Sequence, residues 1–182
     1  YQTVPWITEI LDQVLHQGAI TTTRVPFRPY TLPALLQRSL LLTDKEGIVA
    51  QWRQEVAVFP AALKRNLLAH FAPVLQEYVE ELISGAERRL GPRHFLFFLD
   101  RAVDALISLL YALNDLYDPA ERRAERCILP TLRRVPEGFI ATLTDVLQGP
   151  FDDAGALYRA QRLQGLAWQV LAIAGTSAQD ID

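Results

Sequence analysis

The sequence predicts an all-α protein, an antiparallel bundle of five to seven helices, and three observations lead there. Phe95 to Asp118 reads as one long helix that is apolar around most of its circumference, as a central helix must be. Elsewhere apolar residues recur at three- and fourfold spacing rather than in alternation. Breaker pairs such as Gly91-Pro92, Asp118-Pro119 and Gly149-Pro150 then cut the chain into helix-length pieces joined by short connections.

Taken in order, Tyr1 to Val4 is the one strand candidate, read as the last strand of a preceding domain. Trp6 to His16 is amphipathic, with Trp6, Ile10 and Val14 on one side, Pro5 in the first turn and Gly18 as the stop. Thr21 to Tyr30 holds Pro26 and Pro29 and no period, which predicts an extended linker. Thr31 suits an N-cap, with Pro33 in the first turn of a helix reaching Leu42. Thr43 to Gly47 is a turn, and Val49 to Val58 the next helix. Pro60 opens a longer one to Leu90, in which Leu63, Leu67, His70, Val74, Tyr78 and Leu82 recur at helical spacing. Pro73 inside that pattern predicts a kink or break.

Pro92 opens the central helix and Asp118-Pro119 closes it, because a residue before proline avoids helical backbone. Ala120 to Arg134 reads as a short basic helix interrupted at Pro130, and Pro136 opens another to Leu147. Phe151-Asp152-Asp153 caps a last helix, Ala154 to Ala174. The expected organisation is therefore an N-terminal helix and linker over residues 1–30, a bundle over 31–176 and a polar tail over 177–182.

Half of the 182 residues are hydrophobic, enough for a real core. A chain of this size buries roughly 70% of its unfolded surface. The net charge of −3 gives no sign of a nucleic-acid or anionic-membrane surface. No apolar run free of charge reaches the roughly 18 residues a membrane span needs. Cys127 is the one cysteine, which excludes an internal disulfide and suits a reducing, cytoplasmic setting. It reads as a small buried hydrophobe. The chain opens on Tyr1 and has no methionine, which suggests a processed chain or a fragment of something longer.

The polar residues of the central stretch are not scattered. At roughly 100° per residue, Asp104, Tyr111, Asn114, Asp115 and Asp118 fall within roughly 60° of Asp100. Carboxylates on so apolar a helix need partners. Either those partners lie inside the bundle, or the stripe lines a groove open to water and ligand.

The string L-L-Y-A-L-N-D-L-Y-D-P-A-E-R-R, Leu109 to Arg123, resembles the A-L-N-x-x-Y-x-P-x-x-K/R signature of an uncharacterised helical domain. That domain follows the catalytic domain in many prokaryotic nucleotidyltransferases of the DNA polymerase beta superfamily. Upstream, the stretch Leu42 to Val49, then Arg53, then Phe59-Pro60, echoes the family's G-x-V-x-x-D-x-x-G-x-L, R and Y-P. The likeness spans Val4 to Gly175, with Phe59 in place of the usual Tyr and Arg122 or Arg123 in place of a Lys.

The resemblance implies a substrate-binding and structural domain, inactive alone, lining the acceptor side of a cleft. Its partner would be a nucleotidyltransferase catalytic domain, in the same original chain or another, which would bring Mg2+ and a nucleoside triphosphate. Catalysis in that superfamily needs a G-S motif with nearby paired Asp residues for the metals. This sequence has no such segment; its one D-x-D is Asp180-Ile181-Asp182, at the tail. Catalytic and metal-binding residues are thus not expected here. The substrate-binding set is Asp100, Asp104, Tyr111, Asn114, Asp115, Tyr117, Asp118, Arg122 and Arg123, with Arg93 and His94 behind them. The acids would hold cationic groups of a small-molecule acceptor, and the basic turn Arg122, Arg123, Arg126 would neutralise phosphate oxygens or pair with Glu121 and Glu125.

A second reading is a HEPN-type metal-independent ribonuclease, a homodimer of small helical bundles. Arg65-Asn66-Leu67-Leu68-Ala69-His70 matches its R-x-x-x-x-H, with His moving a proton and Arg steadying phosphate. Five residues place the two about 140° apart on a helix, and the acidic composition disfavours RNA. A plain helical interaction module is the third. His16, His70 and His94 are too scattered for a metal site, and Trp52, Phe59, Tyr158 and Trp168 read as packing aromatics.

Overall fold

The computed structural model describes residues 3–120, 126–150 and 152–179, with side chains to residue 175. The described residues are helical, with no strand among them. Pro5 lies in the first turn of α1, Val4–Leu15, which therefore starts where an edge strand was expected. Its Ile10, Leu11 and Val14 face inward. Beyond it Gly18 has φ +65, and a Cβ there would stand 2.8 Å from the backbone of Ala62. Only glycine takes that conformation and that contact without cost. The Asn66 side-chain amide donates to the Gly18 carbonyl at 2.9 Å, holding the crossing in place.

The expected linker follows as an irregular arm of bends and a closing turn that reaches α2, Thr31–Arg38. Tyr30, not Thr31, occupies the cap position, and Thr31 is buried in the first turn. The helix stops four residues short of Leu42 because Ser39 turns extended. There Arg53 of α3, Ile48–Glu55, donates to the carbonyls of Leu36 at 2.9 Å and of Ser39. The turn into α3 is closed by Asp44, whose carboxylate accepts the Ala50 N–H at 2.8 Å.

α4, Ala61–Glu87, runs unbroken through Pro73. Pro73 and Ala69 are both exposed, so the carbonyl that loses its hydrogen bond faces water. Leu68, Phe71 and Leu75 anchor both sides of the proline in the core. The buried face is Leu63, Leu67, Phe71, Leu75, Val79 and Leu82, so the expected set was out of phase at its middle. His70 is exposed, and Val74 and Tyr78 flank the core.

α5, Pro92–Leu113, ends five residues before Asp118. Asp115 takes φ +57, the Leu116 N–H bonds the Tyr111 carbonyl at 3.0 Å and the Asp115 N–H that of Ala112 at 3.2 Å. This pair of bonds is a Schellman stop, which needs no proline. Leu106, Leu109, Leu110 and Leu113 are fully buried, each contributing about 2 kcal/mol.

Of the expected Ala120–Arg134 helix, residues 121–125 lie outside the described set, 126–128 are helical, and Leu129–Thr131 form a 3-10 turn holding Pro130. Cys127 is exposed, contrary to expectation; in this short segment it is Leu129 that turns inward. α6, Phe139–Gln148, begins after Gly138, three residues beyond Pro136. α7, Asp153–Gln179, opens with the Asp152 carboxylate on the Gly155 N–H at 2.7 Å. It continues helically past Ala174 into the expected tail; Phe151 and Asp180 to Asp182 lie outside the described residues. α4, α5 and α7 pack together as the core, α6 lies on α7, and α1 lies on α4 and on α2, which packs on α3.

Candidate functional site

Asp104 lies on α5, one turn before Ser108, whose hydroxyl donates to the Asp104 carbonyl at 2.8 Å. Asp118 lies beyond the end of α5, so helical phase no longer relates it to Asp104. A cation brings them together. Arg28, fixed in the arm between Pro26 and Pro29, donates to the Ser108 hydroxyl at 2.8 Å, to Asp118 at 3.2 Å and to the Asp104 carboxylate. Its guanidinium also rests 5.0 Å over the ring of Phe71.

The second carboxylate oxygen of Asp118 accepts the Ala120 N–H at 2.8 Å. Burial pushes the Asp118 carboxyl above the usual range, Ala120 and Arg28 pull it back, and Asp104 pushes it up again. Burial opposes the Arg28 charge, yet Tyr30, Asp104 and Asp118 hold its pKa above the ordinary value. Tyr30 is pushed up by its own burial, with Arg28 acting against it.

A second cluster closes the end of α5. Lys64, buried on α4, pairs with Asp115 at 2.7 Å and reaches the Leu113 carbonyl at 3.5 Å. Arg134 approaches the same carbonyl at 3.4 Å. Cations belong there, against the negative end of the helix dipole. Asn114 ties the returning loop down: its oxygen accepts the N–H groups of Arg133 and Arg134 at 2.9 and 2.8 Å, and its amide donates to the carbonyls of Leu110 and Arg134. A cavity of about 400 Å³ opens beside Asn114, Asp115, Arg133 and Arg134.

The Tyr117 hydroxyl donates to the Val58 carbonyl at 3.2 Å, its ring lies 4.8 Å from Phe59, and burial pushes its pKa up. Tyr111 is buried and Asp100 exposed. Asp104, Asn114, Asp115, Tyr117 and Asp118 each meet a partner from this chain. Arg122 and Arg123 lie outside the described residues. Arg93 is exposed, and His94 stacks at 4.6 Å on Phe98 above Gly85, where a Cβ would stand 2.2 Å from its ring nitrogen. Arg65 and His70 are both exposed, and the His70 ring meets that of Phe71 edge-on at 4.8 Å.

The residues that organise the site went unmarked in the sequence: Arg28, Lys64 and Ser108. Lys64 carried a signal, a cation in the apolar phase of α4 beside Leu63 and Leu67. Among the described residues no group of three or more His, Cys, Asp or Glu is placed to hold a metal ion. No described helix is long and apolar enough to cross a membrane.

Chemically the arrangement is a clamp, in which part-buried Arg28 and buried Lys64 fasten an irregular arm and a returning loop to the core helix. Comparison with protein-family models, with curated proteins and with solved structures finds no match to this chain.

Proposed function

We propose that this chain is a non-catalytic helical domain that works beside a nucleotidyltransferase-type catalytic domain, supplying shape and a rigid junction. The observation that carries the reading is the Arg28 clamp, which locks the arm between α1 and α2 against α5. A junction held this way transmits a fixed orientation from whatever precedes it to the bundle. The Leu109 to Arg123 string supplies the resemblance. On this reading Mg2+ and the nucleoside triphosphate belong to the catalytic domain, in the cytoplasm. A small-molecule acceptor meets this domain only at the half-exposed edges of the clusters, Asp104 and Asp115, and at the exposed Asp100.

The test begins with the reading frame upstream of Tyr1, expected to encode a G-S…D-x-D segment. The longer protein should then transfer a labelled nucleotide in the presence of Mg2+, this chain alone should not, and Arg28→Ala should slow transfer by the longer protein. An upstream frame without that segment, or transfer unaffected by Arg28→Ala, overturns the proposal.

A further inference from the structure

α5 and α6 both pack on α7, and the space left between them is a groove of about 450 Å³. Its floor is Ile107 of α5, Leu143 of α6 and Leu129 of the 3-10 turn, all buried. Its rim is Ile140 and Leu147, each more than two-fifths exposed and two turns apart on α6. Exposed aliphatics over an apolar floor are unusual unless something covers them. Among the described residues the lining carries one charge, Arg126, which is exposed and has no ion pair with any of them. Among the described residues no acid lines the groove.

Size separates two kinds of occupant. The α6 wall from Ile140 to Gln148 is roughly 12 Å long. A helix docked over so short a wall falls well below the roughly 800 Å² per partner of a stable protein interface. The volume does lie within the roughly 300–1,000 Å³ typical of small-molecule sites, which are mainly apolar with a few orienting polar groups.

We propose that this groove binds an amphipathic small-molecule anion, an aliphatic chain ending in a carboxylate, with the chain over Ile107 and Leu143 and the carboxylate on Arg126. The site does not rest on the nucleotidyltransferase reading, with which it shares only Arg126. Calorimetric titration of the 182-residue chain with decanoate below its micelle concentration tests it, with decanol and acetate as controls. Decanoate is expected to saturate a single site, decanol to bind about tenfold more weakly for loss of the charge-assisted contact, and acetate not to bind. Arg126→Gln should bring decanoate down to the level of decanol. Ile140→Glu, at an exposed rim position that leaves the fold intact by circular dichroism, should abolish binding. Absence of saturable binding to the unmodified chain, or binding that both variants leave unchanged, overturns the proposal. So does an amphipathic peptide that occupies the groove and that decanoate fails to displace.

Discussion

Arg28 and Arg159 are both drawn from the solvent, in part and almost wholly, and they are satisfied in opposite ways. Arg28 comes from an irregular arm and meets two carboxylates and a hydroxyl, with nearly a third of its side chain still exposed. Arg159, on α7, is 1% exposed and reaches the end of α6, donating to the carbonyls of Val146 at 2.6 Å, Leu147 at 3.4 Å and Pro150 at 3.4 Å. Its stem passes Gly149, where a Cβ would stand 2.8 Å from it, and its guanidinium lies 5.0 Å over Phe95. Burial lowers its pKa, but not enough to remove an arginine's charge at neutral pH. Arg28 is a charge-for-charge clamp that pH can loosen. Among the described residues Arg159 is answered by the backbone carbonyls at the end of α6, which do not titrate.

The sharpest way to break that contrast is Arg159→Ala. It leaves a void and strips the last carbonyls of α6 of a charged donor, so unfolding in urea should show a loss of about 3–5 kcal/mol at any pH between 5 and 8. Arg28→Ala should cost less, about 2 kcal/mol at pH 7. Breaking a buried pair typically costs about 3–5 kcal/mol, but the half-exposed Asp104 and partly exposed Arg28 are screened by water. It should also expose the arm around Arg24 to trypsin. A cost as large as that of Arg159→Ala, or an arm no easier to cleave, would erase the distinction.

The pH dependence sharpens the comparison further. The folded-state pKa of Asp118 lies above its unfolded value, so the folded protein binds the proton more tightly. Stability from this group is therefore greatest below the unfolded value near 3.8 and is lost as pH rises through the raised folded one. Removing Arg28 takes away a contact that favours the carboxylate and raises that pKa again. The deficit of Arg28→Ala should shrink as the solution is acidified, whereas that of Arg159→Ala should not. Asp118→Asn, which cannot titrate, should flatten this part of the stability profile and change stability at pH 7 by about 1 kcal/mol or less, because Asp104 still answers Arg28.

What the sequence disclosed follows the same division. The helices and the apolar face of α5 were legible because 3.6-residue periodicity and proline placement are local properties. The alignment of Asp104 with Asp118 was also legible, though for the wrong reason: they meet through Arg28, not along a continuous helix. Nothing local announces that an arginine in a proline-bounded arm will fold back across 80 residues to Ser108. The end of α5 was misplaced because Asp115 in left-handed backbone stops the helix before the proline does. Arg159 could have been suspected, since it shares the buried phase of α7 with Leu163, Leu166 and Val170.

Lys64 lies between the two extremes and should show the smallest effect. Like Arg159 it is buried and reaches a helix C-terminus, and like Arg28 it pairs with a carboxylate. Yet Asp115 is 53% exposed, so removal of the ammonium leaves it hydrated rather than stranded. The Leu113 carbonyl keeps Arg134 at 3.4 Å as a second donor. Lys64→Met, which preserves most of the stem packed beside Leu63 and Leu67, should therefore lower the free energy of unfolding in urea by less than about 1 kcal/mol. A loss near that of Arg159→Ala would mean that the depth of the cation, not the exposure of its partner, sets what each buried cation contributes in this bundle.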